Sequence, residues 1–241
     1  VDPSVDPPTL AALPATNPPT DPPADPRSGV LGTPSPFADH PIFLESLRRI
    51  RILLGETDLA GVERDVLERL VHSCGDPSIA PDLRFSPGAC AAGLHSLASG
   101  VVILTDTAMA AAAVAPMARR TFANPVHSVL AWAPPVAPPG STRTALGMAG
   151  ALAAHPGAVV LVGSAPTALE CLLDRCAQGA PTPALVIGMP VGFVGVAESK
   201  RRLAASDLPQ IRLEGSRGGA ALVAAAVNAL LRRAWLEGAQ A

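Results

Sequence analysis

The chain of 241 residues predicts an α/β protein of three layers, a largely parallel central sheet with helices on both faces. Three observations point there. Short runs rich in Val, Ile and Leu are apolar throughout instead of alternating, which marks strands buried on both sides. Ala/Leu-rich stretches of helical length separate them, as βα crossovers require. The runs end in Gly, Ser, Thr, Pro and Asp, and ligands of such folds gather beyond the carboxyl ends of the strands.

Taken in order, residues 1–38 stand apart, with eleven prolines among the first 36 residues and little to bury. Such a segment does not offset its ordering entropy and is expected to be a disordered arm, a passive tail or a tether. Residues 39–241 are expected to form the α/β domain. "IFLESLRRIRILL" and "AGVERDVLERLVHSC" each read as an amphipathic helix. Strands are predicted at 100–106, 126–133, 157–163, 183–189 and 210–215. Helices are predicted near 107–118, 142–154, 165–178, 195–205 and 218–236.

Composition narrows the function. Apolar residues make up 49% of the chain and aromatics only 3%, so the core must be mainly Ala, Val and Leu. The net charge is −2 and no Lys/Arg run occurs, which argues against nucleic acid as a partner. Cys74, Cys90, Cys171 and Cys176 form no C-x-x-C pair and have no histidine at zinc-site spacing, so free thiols and no metal are expected. The apolar windows are short and interrupted by Pro or Arg, so no membrane span is expected, and no secretory signal is recognisable. The cytoplasm is the default location. No G-x-S-x-G elbow occurs, which excludes a hydrolase reading, and the absence of a Walker A loop or G-x-G-x-x-G leaves a nucleotide pocket with weak support.

Five stretches carry candidate chemistry. On the second helix Val62, Val66, Leu67, Leu70 and Val71 share an apolar face, while Arg69 and His72, three apart, project together from the other side. Gly75 follows as a left-handed helix stop. In "VLVGSAPTALECLLD", Ser164 or Thr167 is placed to cap a helix with Pro166 in its first turn, where free N–H groups suit a carboxylate or phosphate. In "VIGMPVGFVGVAESK", Gly188, Gly192 and Gly195 tighten a loop that presents Val191, Phe193 and Val194. "PPGSTRTALGMAG" sets Ser141, Thr142 and Arg143 at a helix start, where the arginine either forks onto a ligand carboxylate or pairs with surface acids. "EGSRGG" repeats the pattern with Arg217. Three strand ends of this kind, two with an arginine, suit a polyanionic ligand better than a neutral one.

Together "RLVHSCG", "GSTRTA", "GSAPTALECLL", "GMPVGFVGVAESK" and "GSRGG" resemble the precorrin-8X methylmutase (precorrin isomerase) family of cobalamin biosynthesis, in order from about Pro41 to Leu231. The resemblance implies an α/β homodimer that moves one methyl group of a corrinoid from ring carbon eleven to ring carbon twelve. Precorrin-8X or cobalt-precorrin-8 would be the substrate and the corrin acid the product, with no cofactor. It implies His72 as the catalytic acid, with Ser46 and Arg69 as substrate contacts. Arg143 and Thr142 fall in a substrate-facing block that has Ser141 where the family usually has Asn. The chain departs from the family pattern at Ala108, Ala112 and Ala113, where an acidic residue and a His-Gly pair are usual, and at Phe43, usually Tyr. Those changes keep open a corrinoid-binding protein of the same fold without turnover.

Overall fold

The computed structural model describes residues 39–238; the Pro-rich arm predicted for residues 1–38 lies outside them. Among the described residues one six-stranded sheet forms from β1 (Leu83–Phe85), β2 (Ile103–Thr105), β3 (Val126–Ser128), β4 (Val159–Val162), β5 (Leu185–Gly188) and β6 (Gln210–Leu213), in the order β1-β6-β5-β4-β2-β3. Every neighbouring pair is parallel except β1–β6. The reason for the uninterrupted apolar runs is visible in β4: Val159 and Leu161 enter one core, Val160 and Val162 the other. Helices α5 (Arg143–Ala154), α6 (Pro166–Ala177) and α7 (Val196–Ala204) cover the second face. The first face is covered by α3 (Ala89–Ala98), α4 (Ala108–Arg120) and α8 (Ala220–Gly238). Outside α8 lies α2 (Gly61–Cys74), and outside α2 lies α1 (Pro41–Leu54).

Local sequence sets the helix ends. Pro41 sits in the first turn of α1, and the His40 ring accepts a hydrogen bond from the Ile42 N–H. Gly75 stops α2 in the left-handed region (φ 69°), its N–H donating to the Val71 carbonyl. Thr107 and Thr142 cap α4 and α5 by accepting from the N–H groups of Ala110 and Ala145.

Three features differ from the sequence-based expectation. The run 126–133 is strand only to Ser128, because its partner β2 ends at Thr105. Ser128 Oγ then accepts from Leu130 N and starts a 3₁₀ turn, Val129–Trp132. Helix α3 was not expected. Its mid-helix Gly93 weakens the helical signal, yet a Cβ there would lie 2.8 Å from Leu185 Cδ2, so glycine lets the helix sit tight on β5. Three-residue β1 is too short to show a period of two, and its antiparallel pairing depends on β6, which lies far along the chain.

Candidate active site

The α1–α2 pair builds the first group. His72 lies in the last turn of α2 and Ser46 in the middle of α1; Ser46 Oγ and His72 Nδ1 are 2.8 Å apart in a hydrogen bond. Phe43, one turn earlier on α1, sets its edge against the imidazole, with centroids 5.3 Å apart and planes at 89°. The face of Phe43 carries the Arg69 guanidinium at 4.8 Å and, farther off, that of Arg232 at 5.9 Å. Arg232 is itself paired with Asp39. Arg69 is therefore not a solvated residue on a bare polar face, as helix periodicity suggested. Phe43 covers it, and its proton affinity is lowered by burial and by the neighbouring charges of Arg232 and Arg120.

Burial, and secondly the Arg69 charge, push the His72 pKa below its ordinary 6.5. The resting imidazole is then mostly neutral near pH 7. Its Nδ1 is held by Ser46, and Nε2 has no hydrogen bond among the described residues. A cleft of about 270 Å³ opens beside it, lined by Arg69, His72, Ser73, Ala113, Asn228 and three alanines of α8. On the Ser46 side lies a shallower depression of about 550 Å³, lined by Pro41, Ile42, Glu45, Ser46 and Arg49. Ser46 thus lines one opening and His72 the other. Ala113 forms part of the cleft wall, and its carbonyl accepts from Asn228 Nδ2 at 3.2 Å.

The second group lies at the carboxyl ends of the parallel strands. Thr142 and Thr167, at the starts of α5 and α6, share a hydroxyl hydrogen bond of 2.8 Å, and Thr144 joins them. Arg143 is exposed and donates from Nε to the Pro134 carbonyl at 2.9 Å, and it has no acidic partner among the described residues. Gly192 adopts φ 135°, and Phe193, at the loop tip, is 95% exposed.

One expectation needs correction. The start of α6 is not an open anion site, and neither Ser164 nor Thr167 caps it. Buried Asp106, at the end of β2, already fills that place: its Oδ2 accepts from the N–H groups of Gly163, Ser164 and Ala165 at 3.1, 2.6 and 2.8 Å. β2 and β4 flank the point where strand order reverses, so the chain's own carboxylate occupies the crevice that a ligand often takes. Burial raises the Asp106 pKa against the lowering effect of those three donors. Arg217 takes the second alternative the sequence left open, pairing with acids of its own chain. It donates to Asp76, Ser78 and Asp82, just beyond the end of α2. Its neighbour Gly218 packs so closely that a Cβ would lie 1.9 Å from the Met189 carbonyl oxygen. Lys200, the only lysine of the chain, braces the same segment by donating to the carbonyls of Gly215 and Arg217 at 2.8 and 2.7 Å. The segment also receives the Gly192 N–H at Ser216 O, so it joins the strand-end loops to the turn after His72.

Sequence reasoning missed Asp106 and the buried Glu68. A polar residue closing an apolar strand was the available signal for Asp106; none marked Glu68, which reads as an ordinary helix-surface acid.

Comparison with known proteins gives a consistent result. The sequence model of the family described as precorrin-8X methylmutase matches residues 41–233. A Synechocystis protein named cobalt-precorrin-8 methylmutase is 40% identical, the match covering 83% of this chain and 98% of that one. A Pseudomonas aeruginosa protein named precorrin-8X methylmutase is 45% identical over 78% of this chain and 93% of its own. The crystal structure of a precorrin-8X methyl mutase from Thermus thermophilus aligns with a TM-score of 0.75 and 39% identity, covering 82% of this chain and 97% of that one.

Proposed function

Because this chain belongs to the precorrin-8X methylmutase family, we propose that it isomerises precorrin-8X, or its cobalt-bearing counterpart, by moving a methyl group from ring carbon eleven to ring carbon twelve. The products are hydrogenobyrinic acid and cobyrinic acid respectively. The observation that carries the reading is the Ser46–His72 hydrogen bond beside Arg69 at the mouth of a cleft.

A sigmatropic methyl shift needs no nucleophile. It needs the conjugated ring held in its reactive tautomer, which is proton-transfer work. His72 Nε2 donates a proton to the macrocycle, and the ring returns one as the product forms, since substrate and product are isomers. Such acid catalysis contributes about 10²–10⁴-fold. The depressed His72 pKa makes the imidazolium a strong acid but scarce in the empty site. A peripheral carboxylate of the substrate docking on Arg69 neutralises the charge that disfavours protonation. Arrival of substrate thereby arms the acid. Thr142, Thr167, Ser164, Arg143, Gly192 and Phe193 serve as outer contacts to the wide macrocycle. Arg217 shapes that rim through its grip on Asp76 and Asp82 and does not meet substrate charge itself.

The exposed Ile42, Ile52 and Leu53 of α1 support a homodimer, which light scattering of the purified chain tests. No described helix is long and apolar enough to cross a membrane, and a cytoplasmic site of action is part of the proposal. Anaerobic incubation with precorrin-8X tests the function: a shift of the visible spectrum to that of hydrogenobyrinic acid is expected. The alanine-lined cleft favours one competing reading, a corrinoid binder without turnover, for which tight product binding with an unchanged substrate spectrum would be the signature.

A further inference from the structure

Helices α1 and α2 run antiparallel and are tied together at two places. Near one end Ser46 meets His72. Five residues along α1 from Ser46, Arg51 meets Glu68, which lies four residues back along α2 from His72. Arg51 donates from Nε and Nη2 to the two Glu68 carboxylate oxygens, both at 2.8 Å. At about 1.5 Å of rise per residue the two ties lie ~7.5 Å apart along α1 and ~6 Å apart along α2, so one helix register satisfies both.

The ties differ in strength. Ser46–His72 is a single exposed hydrogen bond between neutral or singly charged groups. Glu68 is only 2% exposed, and Arg64, one turn before it on α2, adds a third donor at 3.1 Å. A carboxylate removed from water keeps its place only while its donors do, because unpairing a buried charge is strongly unfavourable. A slip of α1 by one turn, about 5.4 Å, strips Glu68 of the Arg51 fork. Apolar contacts between the same helices would tolerate smaller slides far better.

We propose that Glu68, through its bidentate pair with Arg51, is a positioning residue that fixes the α1–α2 register and so holds Ser46 on His72 Nδ1. Glu68 touches no substrate; it acts through Ser46 and the imidazole. The kinetic consequence rests on His72 being the acid, whereas the structural consequence does not.

The test uses the full chain labelled with ¹⁵N-histidine, in which the five histidines are assigned with the help of His72→Ala. The titration midpoint of His72 is followed in wild type, Ser46→Ala, Glu68→Gln, Arg51→Met and the Ser46→Ala/Arg51→Met double variant. We expect Glu68→Gln and Arg51→Met to move the midpoint to the value seen in Ser46→Ala, and the double variant to move it no further. With precorrin-8X, kcat should fall between about tenfold and a hundredfold, as for a misplaced catalytic group, while KM stays within about twofold. If Glu68→Gln fails to fold, Arg51→Met decides, because Arg51 is half exposed and its loss leaves Glu68 paired with Arg64. A folded Arg51→Met variant whose His72 titrates as in wild type overturns the proposal, as do shifts that add in the double variant. Expected titrations together with a wild type that converts nothing would instead overturn the functional reading alone.

Discussion

Replacing His72 by Ala removes the proposed acid, and we expect conversion to be lost while pigment binding persists, as read by co-elution of colour with the protein. For Arg69 the sign of the pH effect is fixed by its charge. Activity that needs imidazolium falls as pH rises through the His72 pKa, and in the free enzyme that midpoint lies below 6.5. Arg69→Met removes one cause of the depression, so the basic limb of kcat/KM should move up in pH. The same variant loses a charge-assisted contact and should weaken product binding by about 1.5–3 kcal/mol. An unmoved limb with unchanged binding would show that Arg69 touches neither acid nor substrate. Stability follows the same pKa. A histidine depressed on folding favours the neutral form, so its contribution is present above 6.5 and is lost as pH falls through the folded-state value. The His72–Arg69 spacing was legible in the sequence because three residues on a helix are neighbours. The part played by Phe43 was not, since it depends on how α1 crosses α2.

At the scale of elements, three junctions carry the account: the start of α6, the segment 214–219 and the α1–α2 contact. Asp106 supplies the cap that no local side chain provides at Ala165. Asp106→Ala leaves three backbone donors without it and should lower unfolding stability by about 3 kcal/mol, measured by urea denaturation, with little effect on KM. Arg217→Ala should likewise lower the melting temperature more than it raises KM, because its donors already serve Asp76 and Asp82. A large rise in KM with an unchanged melting temperature would restore Arg217 as a substrate contact. Lys200 has a pKa lowered to about 8 by burial, against 10.5 in an unfolded chain. Between those values the unfolded state binds more protons, so this lysine makes stability rise with pH across that window. The difference between wild type and Lys200→Met should show that rise, separated from the opposing effect of the buried thiols such as Cys90, whose pKa burial pushes up to about 12. Helix starts were legible where Thr107 and Thr142 cap within their own segment. The α6 start at Pro166 was legible too, but its cap was not, because Asp106 lies 57 residues from Gly163 in sequence.

For the whole molecule, apolar strands alternating with helices were enough to predict a parallel sheet between two helical layers, since burial on both faces leaves a plain mark on composition. Three of the hidden features shared one cause. β1, the Glu68–Arg51 pair and the Arg217 network each depend on partners remote in sequence, so no local pattern announces them. The candidate site divides the same way: the residue types at His72, Ser46, Thr142 and Thr167 could be read off, but not that one hydrogen bond joins each pair. Removing residues 1–38 should leave conversion intact, because the family match begins at residue 41; lost turnover in the truncated chain would assign the arm a role at the site. The most direct measurement is the visible spectrum of precorrin-8X incubated anaerobically with wild type and with His72→Ala. The account predicts full conversion to the corrin spectrum by the first and none by the second. Equal conversion by both would contradict it.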